Sequence, residues 1–286
     1  MHIKTYYELT KPGIIYGNLL TAIAGFFLAS RHPIHWGTFI AMILGTSFVI
    51  GGSCVFNNYI DRDIDHLMSR TKDRALVKNE VSPRSALIYG TVLLIGGSVI
   101  LYFFTTMAAL LAALLGAVVY VGLYTPLKRK SLYSTIVGSI SGATPPVIGY
   151  CAVTNTFNLE GAILFLILVI WQMPHFYAIA IYRKDEYRSA NVPLLPIIQG
   201  NRVAKIHILF YVIAFVLASA SLTYFHFTGY IYLTVMLVVG LVWLWMSIQG
   251  FSKNKDEPKW ARQMFLFSLI VLTVFSASLS LSGILY

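Results

Sequence analysis

Apolar residues run along this chain in blocks of about twenty, parted by short polar stretches that hold nearly all of its charge. Blocks of that length match the ~20 residues an α-helix needs to cross about 30 Å of hydrocarbon. Nine segments fall at roughly 13–30, 38–60, 84–104, 108–126, 132–152, 160–182, 204–225, 230–250 and 263–285, the third and fourth separated only by the break at Thr105 and Thr106. A spanning backbone must satisfy its own hydrogen bonds, so the pattern predicts an all-α polytopic membrane protein with nine transmembrane helices in a single bundle. No linker interrupts the pattern, and 1–286 reads as one transmembrane domain.

The composition agrees: 57% of the 286 residues are hydrophobic and 11% charged, too apolar for a soluble domain of this size. Of the 21 Lys and Arg residues, 20 lie in the N-terminal stretch or in the connections after the second, fourth, sixth and eighth segments; the exception is Arg31. Basic residues collect on cytoplasmic loops, which puts the N-terminus in the cytoplasm and Tyr286 on the far side. The same alternation accounts for the net charge of +10, so a nucleic-acid partner is not expected. The first apolar segment is of spanning length and has no convincing cleavage site, so residue 1 is expected to begin the mature protein. Cys54 and Cys151 fall inside spans without metal or redox spacing and read as packing residues.

Against this background the stretch Asn57-Asn58-Tyr59-Ile60-Asp61-Arg62-Asp63-Ile64-Asp65 stands out. In a helix, Asn57, Asp61 and Asp65 project from one face while Asp63 points about 200° away from Asp61 and is not expected to be a ligand. Carboxylates at the edge of hydrocarbon need a cation or partner, and magnesium takes carboxylates together with substrate phosphates. The bland alternative is a helix-end charge cluster satisfied by Arg62, Arg70 or solvent. The basic run Arg70, Lys72, Arg74 and the Lys128-Arg129 pair after the fourth segment supply candidate diphosphate-binding groups, although topology also favours cations there. Tyr124, one turn inside Lys128, is either an aromatic face for a developing carbocation or part of an interfacial belt.

Two further elements lie near the sixth segment. Trp171-Gln172-Met173-Pro174-His175-Phe176 places a helix-breaking proline beside an intramembrane imidazole, suited to haem contact, to proton transfer or to plain structure. Asp185 and Glu186 offer a second metal-binding pair or simple partners for Arg183, Lys184 and Arg188. Because the second and sixth segments both end in acidic residues, their ends are expected on one surface, hinting at a duplicated four-helix unit.

Taken with Thr10-Lys11-Pro12-Gly13, Met68-Ser69-Arg70-Thr71, Ser141-Gly142-Ala143-Thr144-Pro145-Pro146-Val147-Ile148-Gly149 and Pro193-Leu194-Leu195-Pro196, these motifs resemble the UbiA superfamily of intramembrane prenyltransferases. The Pro-Pro-x-x-Gly and Trp-Gln-Met-Pro-His-Phe elements favour its haem-modifying branch. The resemblance covers nearly the whole chain. It implies that an isoprenyl diphosphate is bound through Asn/Asp motifs and Mg2+, with Asn57, Asp61, Asp65 and Tyr124 catalytic and Asn57, Asp61, Asp65, Asp185 and Glu186 on metal. It further implies farnesyl diphosphate and haem b as substrates and alkylation of a haem vinyl group with addition of water to give haem O; by residue type and location alone, His175 is expected to position the haem. A slot for the porphyrin is expected where Pro174, Gly138, Gly142, Pro145, Pro146 and Gly149 let the fifth and sixth segments part.

The implied setting is the lipid of a bacterial inner membrane with the active site facing the cytoplasm, and hand-over of product to a haem-copper terminal oxidase or a haem A synthase. Quinone-forming relatives usually carry a clear second DxxxD motif, which this chain lacks. The rival readings are a prenyltransferase acting on a quinone or other aromatic precursor and, outside enzymes, a secondary transporter. Acidic groups at one membrane surface rather than at the midplane favour an enzyme.

Single-cysteine labelling tests the topology: sites in the connections after the second, fourth, sixth and eighth segments should react from the cytoplasmic side only. Outside-only labelling after the second segment would overturn it.

Overall fold

A computed structural model describes residues 3–30, 34–252 and 256–285. Among them nine helices are long and apolar enough to span a membrane: α1 (Pro12–Ala29), α2 (Trp36–Asp65), α3 (Pro83–Phe104), α4 (Met107–Leu127), α5 (Ser134–Thr154), α6 (Leu159–Tyr182), α7 (Asn201–Tyr224), α8 (Tyr230–Gln249) and α9 (Glu257–Leu285). No strand occurs among the described residues. Arg31, Lys253 and Lys255, which enter the charge alternation, and Tyr286, expected on the far side, lie outside the described residues.

Local chemistry sets several boundaries. Ser82 and Thr106 each accept a hydrogen bond from the backbone N–H three residues on, capping α3 and α4, and Asn158 caps α6 in the same way. Asn155 closes α5 in a left-handed conformation, a geometry that asparagine tolerates. The α2 helix continues beyond the apolar segment to Asp65, carrying the acidic face on a regular helix. Pro174 sits inside α6 without ending it, so the expected interruption there is not a break in the helix.

The α2 helix packs along α3, α1 along the second half of α5, and α6 along α7 and α9, while α9 also lies against α1 and closes the bundle. Glycine is what lets α1 and α5 approach so closely. A β-carbon on Gly149 would collide with the Ala22 carbonyl, and one on Gly25 with the Pro146 carbonyl. The outer surface is apolar: α3 presents Ile88, Val92, Ile95 and Val99 along one exposed stripe.

At Gly142 the expected parting of α5 and α6 is not found. The Gln172 amide donates to Ser139 O at 2.9 Å, and its own carbonyl lies where a side chain on Gly142 would be. Glycine therefore clasps these helices together. Pro146 and Gly149 pack on α1, whereas Gly138, Gly142 and Pro145 face an interior chamber.

The ends of α2 and α6 do share one surface, as their acidic termini suggested. The short helix Lys184–Ser189 lies over the α2–α3 connection, Ser189 Oγ donates to Leu67 O at 3.3 Å, and Met68, Ala190 and Val192 form a small apolar cluster.

Candidate active site

Asn57, Asp61 and Asp65 are turned inward from the last turns of α2, and all three are almost fully buried, Asp61 completely. The Asn57 amide donates to Asp61 Oδ2 at 2.8 Å and to Thr125 Oγ1 at 2.9 Å. Thr125 in turn donates to Tyr120 O at 2.8 Å. That bond reaches back into Val119–Tyr124, where α4 widens into a π-helical turn, a feature common where helices are shaped for function. The turn stacks Tyr120 on Tyr124 with ring centres 5.6 Å apart and turns both rings into the interior.

Cations come to this face from three other elements. Lys128, after α4, pairs with Asp61, and Arg74, from the α2–α3 connection, pairs with Asp65 at 2.5 Å. Lys11, just ahead of α1, donates to the Asn57 carbonyl oxygen. Burial pulls the Lys11 ammonium down to about 7, with the positive charges of Arg74 and Lys128 acting in the same direction. An anion beside it would favour the charged form.

These groups line a polar cavity of about 600 Å³, in which Lys11, Arg70, Arg74, Lys128 and Arg183 face two carboxylates, Asp61 and Asp65. An apolar chamber of about 380 Å³ adjoins it, lined by residues of α1, α2, α4, α5, α6 and α9. Gly13, Ile14, Tyr120, Tyr124 and Phe176 line both and form the neck between them. His175 and Trp171 stand in the apolar chamber, stacked at 4.9 Å. The arrangement separates a charged end, suited to a polyanion, from an apolar end, with aromatic rings where they meet.

Several expected site residues lie elsewhere. Asp185 and Glu186 do not face the cavity: Asp185 is 95% exposed and pairs with Arg188, while Glu186 pairs with Arg183. The short helix carrying them turns Tyr187 toward the interior instead. Lys72 is exposed and does not line the cavity, its place being taken by Arg70 and Arg74. Arg129 sits behind the acidic face, where its guanidinium contacts both Asp63 oxygens at 2.7 Å, the Ile60 carbonyl at 2.6 Å and Asp61 at 3.3 Å. Asp63 is turned out of the cavity, in keeping with its helical phase.

Lys11, Arg183, Tyr120, Thr125 and Tyr187 also belong to the site or brace it, and nothing in their residue type alone marks them out. The signal for Lys11 was a lone cation next to the proline that starts α1.

The donors on the acidic face are all oxygens, which suits a hard divalent cation. Among the described residues no three His, Cys, Asp or Glu side chains gather as a metal cage, and this face offers two carboxylates and one amide oxygen.

This fold and site define an intramembrane prenyltransferase, and the chain belongs to the UbiA prenyltransferase family, which it matches over residues 18–269. Its relatives are more particular. A protoheme IX farnesyltransferase from Photorhabdus laumondii is 50% identical over 280 residues, covering 98% of this chain and 95% of the relative. One from Yersinia enterocolitica is 49% identical over 281 residues, with the same coverage. The fold is shared with a digeranylgeranylglyceryl phosphate synthase structure (TM-score 0.82, 19% identity, 99% of both chains). It is shared too with a UbiA homolog from Archaeoglobus fulgidus bound to GPP and Mg2+ (TM-score 0.71, 15% identity, 96% of this chain and 99% of that one).

Asp61→Asn and Asp65→Asn should each lower turnover by about 100-fold or more, the scale seen when one preorganised electrostatic group is lost. Asp63→Asn, outside the cavity, should cost about threefold or less. Steady-state rates on purified, monodisperse variants check this, and an essential Asp63 beside a dispensable Asp61 would contradict it.

Proposed function

We propose that this protein transfers the farnesyl group of farnesyl diphosphate to a vinyl group of haem b, giving haem O in a Mg2+-dependent reaction. The observation that carries this reading is half-identity, along nearly the whole chain, to proteins named protoheme IX farnesyltransferase. The two-part cavity supports it chemically.

In this reading the diphosphate lies in the polar cavity. Asn57, Asp61 and Asp65 would hold magnesium, which would supply positive charge to offset that of the departing diphosphate. Lys11, Arg70, Arg74 and Lys128 bind its remaining oxygens, with Arg74 and Lys128 exchanging carboxylate partners for phosphate ones. Burial of these groups excludes water and strengthens each charge interaction, which favours loss of diphosphate as the allylic carbon–oxygen bond breaks. The allylic carbon sits at the neck, where Tyr120 and Tyr124 present ring faces to the developing positive charge. Haem b places its vinyl group beside His175 in the apolar chamber. The topology inferred from the basic loops orients the charged cavity to the cytoplasm of a bacterial inner membrane. Haem O then leaves through lipid or to a haem-copper oxidase or haem A synthase.

Purified protein given haem b, farnesyl diphosphate and Mg2+ should yield a product heavier than haem b by a farnesyl group and one hydroxyl group, read by mass spectrometry. Prenylation of a quinone precursor with haem untouched would overturn the acceptor.

A further inference from the structure

Ser268 on α9 makes two hydrogen bonds with one hydroxyl. Its Oγ lies 2.6 Å from Phe265 O, a carbonyl that can only accept, and 2.7 Å from His175 Nδ1. The single hydroxyl proton is spent on the carbonyl, so the contact to His175 is satisfied only if Nδ1 carries a proton and donates. That fixes the tautomer and leaves Nε2 with a bare lone pair.

The ring's orientation is fixed as well. Trp171 stacks on it, Phe265 packs against it at 5.2 Å, and the Trp171 indole N–H donates to Ser268 O at 3.0 Å, tying α6 to α9 on both sides of the imidazole. Nε2 has no hydrogen-bond partner among the described residues, and His175 lines the apolar chamber one residue from Phe176 at the neck. An imidazole with one nitrogen anchored and the other free is the arrangement of a general base. The chamber wall also carries the buried Thr46 hydroxyl, which lacks a protein partner and can take a hydrogen bond from a small polar molecule.

We infer that His175, held by Ser268 with Nε2 unprotonated, is the base that takes the proton from the water added to the vinyl group. This rests on the farnesyl transfer proposed above. As the allylic carbon–oxygen bond breaks, its electron pair leaves with diphosphate. The vinyl π pair forms the new bond from the terminal vinyl carbon to the farnesyl carbon, and the positive charge passes to the carbon attached to the porphyrin. A water oxygen donates a pair to that carbon, and its excess proton goes to Nε2. The proton leaves to solvent as product departs, so one water is consumed and one proton released per turnover. Without a base beside the water, the same cation can lose a neighbouring C–H proton instead, giving a farnesylated alkene lighter by one water. His175 is on this account a catalytic residue, and Ser268 a positioning residue.

Product partition tests the inference. His175→Asn keeps an amide donor near the Nδ1 position for Ser268 while removing Nε2, and Ser268→Ala removes the anchor and keeps the imidazole. With purified protein, haem b, farnesyl diphosphate and Mg2+ in H2¹⁸O, the wild type should give almost entirely ¹⁸O-labelled hydroxylated product. His175→Asn should shift the ratio of hydroxylated to alkene product by tenfold or more toward alkene, and Ser268→Ala in the same direction by about threefold or more, with the Soret band of bound haem unchanged. If either variant fails to fold, the other decides.

An unchanged ratio in the folded variants would overturn the inference. So would loss of the Soret shift in His175→Asn, which would make His175 an iron ligand. Absence of any farnesylated haem from the wild type is a different result and refutes the underlying activity instead.

Discussion

Two carboxylates with almost no access to solvent, Asp61 and Asp65, stand at the end of a membrane-spanning helix, and the architecture around them answers that single electrostatic demand. An unpaired buried charge is costly, and breaking a buried pair typically costs about 3–5 kcal/mol. Lys128, Arg74 and Arg129 reach the two groups from the ends of other elements, and Asn57 adds a neutral hydrogen bond. The connections after α2 and α4 are therefore held to one corner of the bundle. The cations that balance the carboxylates are the same groups to which the proposed function assigns the diphosphate.

That arrangement also explains why the site is divided. Charge is concentrated where the ends of α1, α2, α4 and α6 and the α2–α3 connection converge, and beyond the paired tyrosines the lining becomes apolar. The π-helical turn in α4 is the local device that joins the halves. It points Tyr120 and Tyr124 inward while Thr125 braces Asn57, which links the shape of the neck to the acidic face. A prenyl diphosphate has the same division, a polyanionic head and an apolar tail. Its reacting carbon lies at the boundary.

Much of this was legible in the sequence because membrane physics acts on composition directly. Spans follow from apolar length, and the Asn57/Asp61/Asp65 face follows from helical phase on a helix that is regular to Asp65. Tertiary choices were not legible in the same way. Nothing in the run Arg183 to Arg188 says which side of a short helix turns inward, and the structure points Tyr187 to the cavity while Asp185 faces out. Lys11 looks like one more basic residue until a partner 46 positions away brings it to the acidic face. The glycines of α5 suggested a slot, yet a small residue equally permits close contact, and Gln172 filled the space at Gly142.

On the proposed function the acidic face binds metal and diphosphate as one unit, neither group having a complete site without the other. Titration calorimetry of the purified wild-type protein with farnesyl diphosphate, at zero and millimolar Mg2+, tests it most directly. Affinity for the diphosphate should rise about tenfold or more with Mg2+, and affinity for Mg2+ should rise by the same factor when the diphosphate is present, as thermodynamic linkage requires. Equal diphosphate affinity with and without Mg2+ would contradict it and leave Asp61 and Asp65 only as ion-pair partners of Lys128, Arg74 and Arg129.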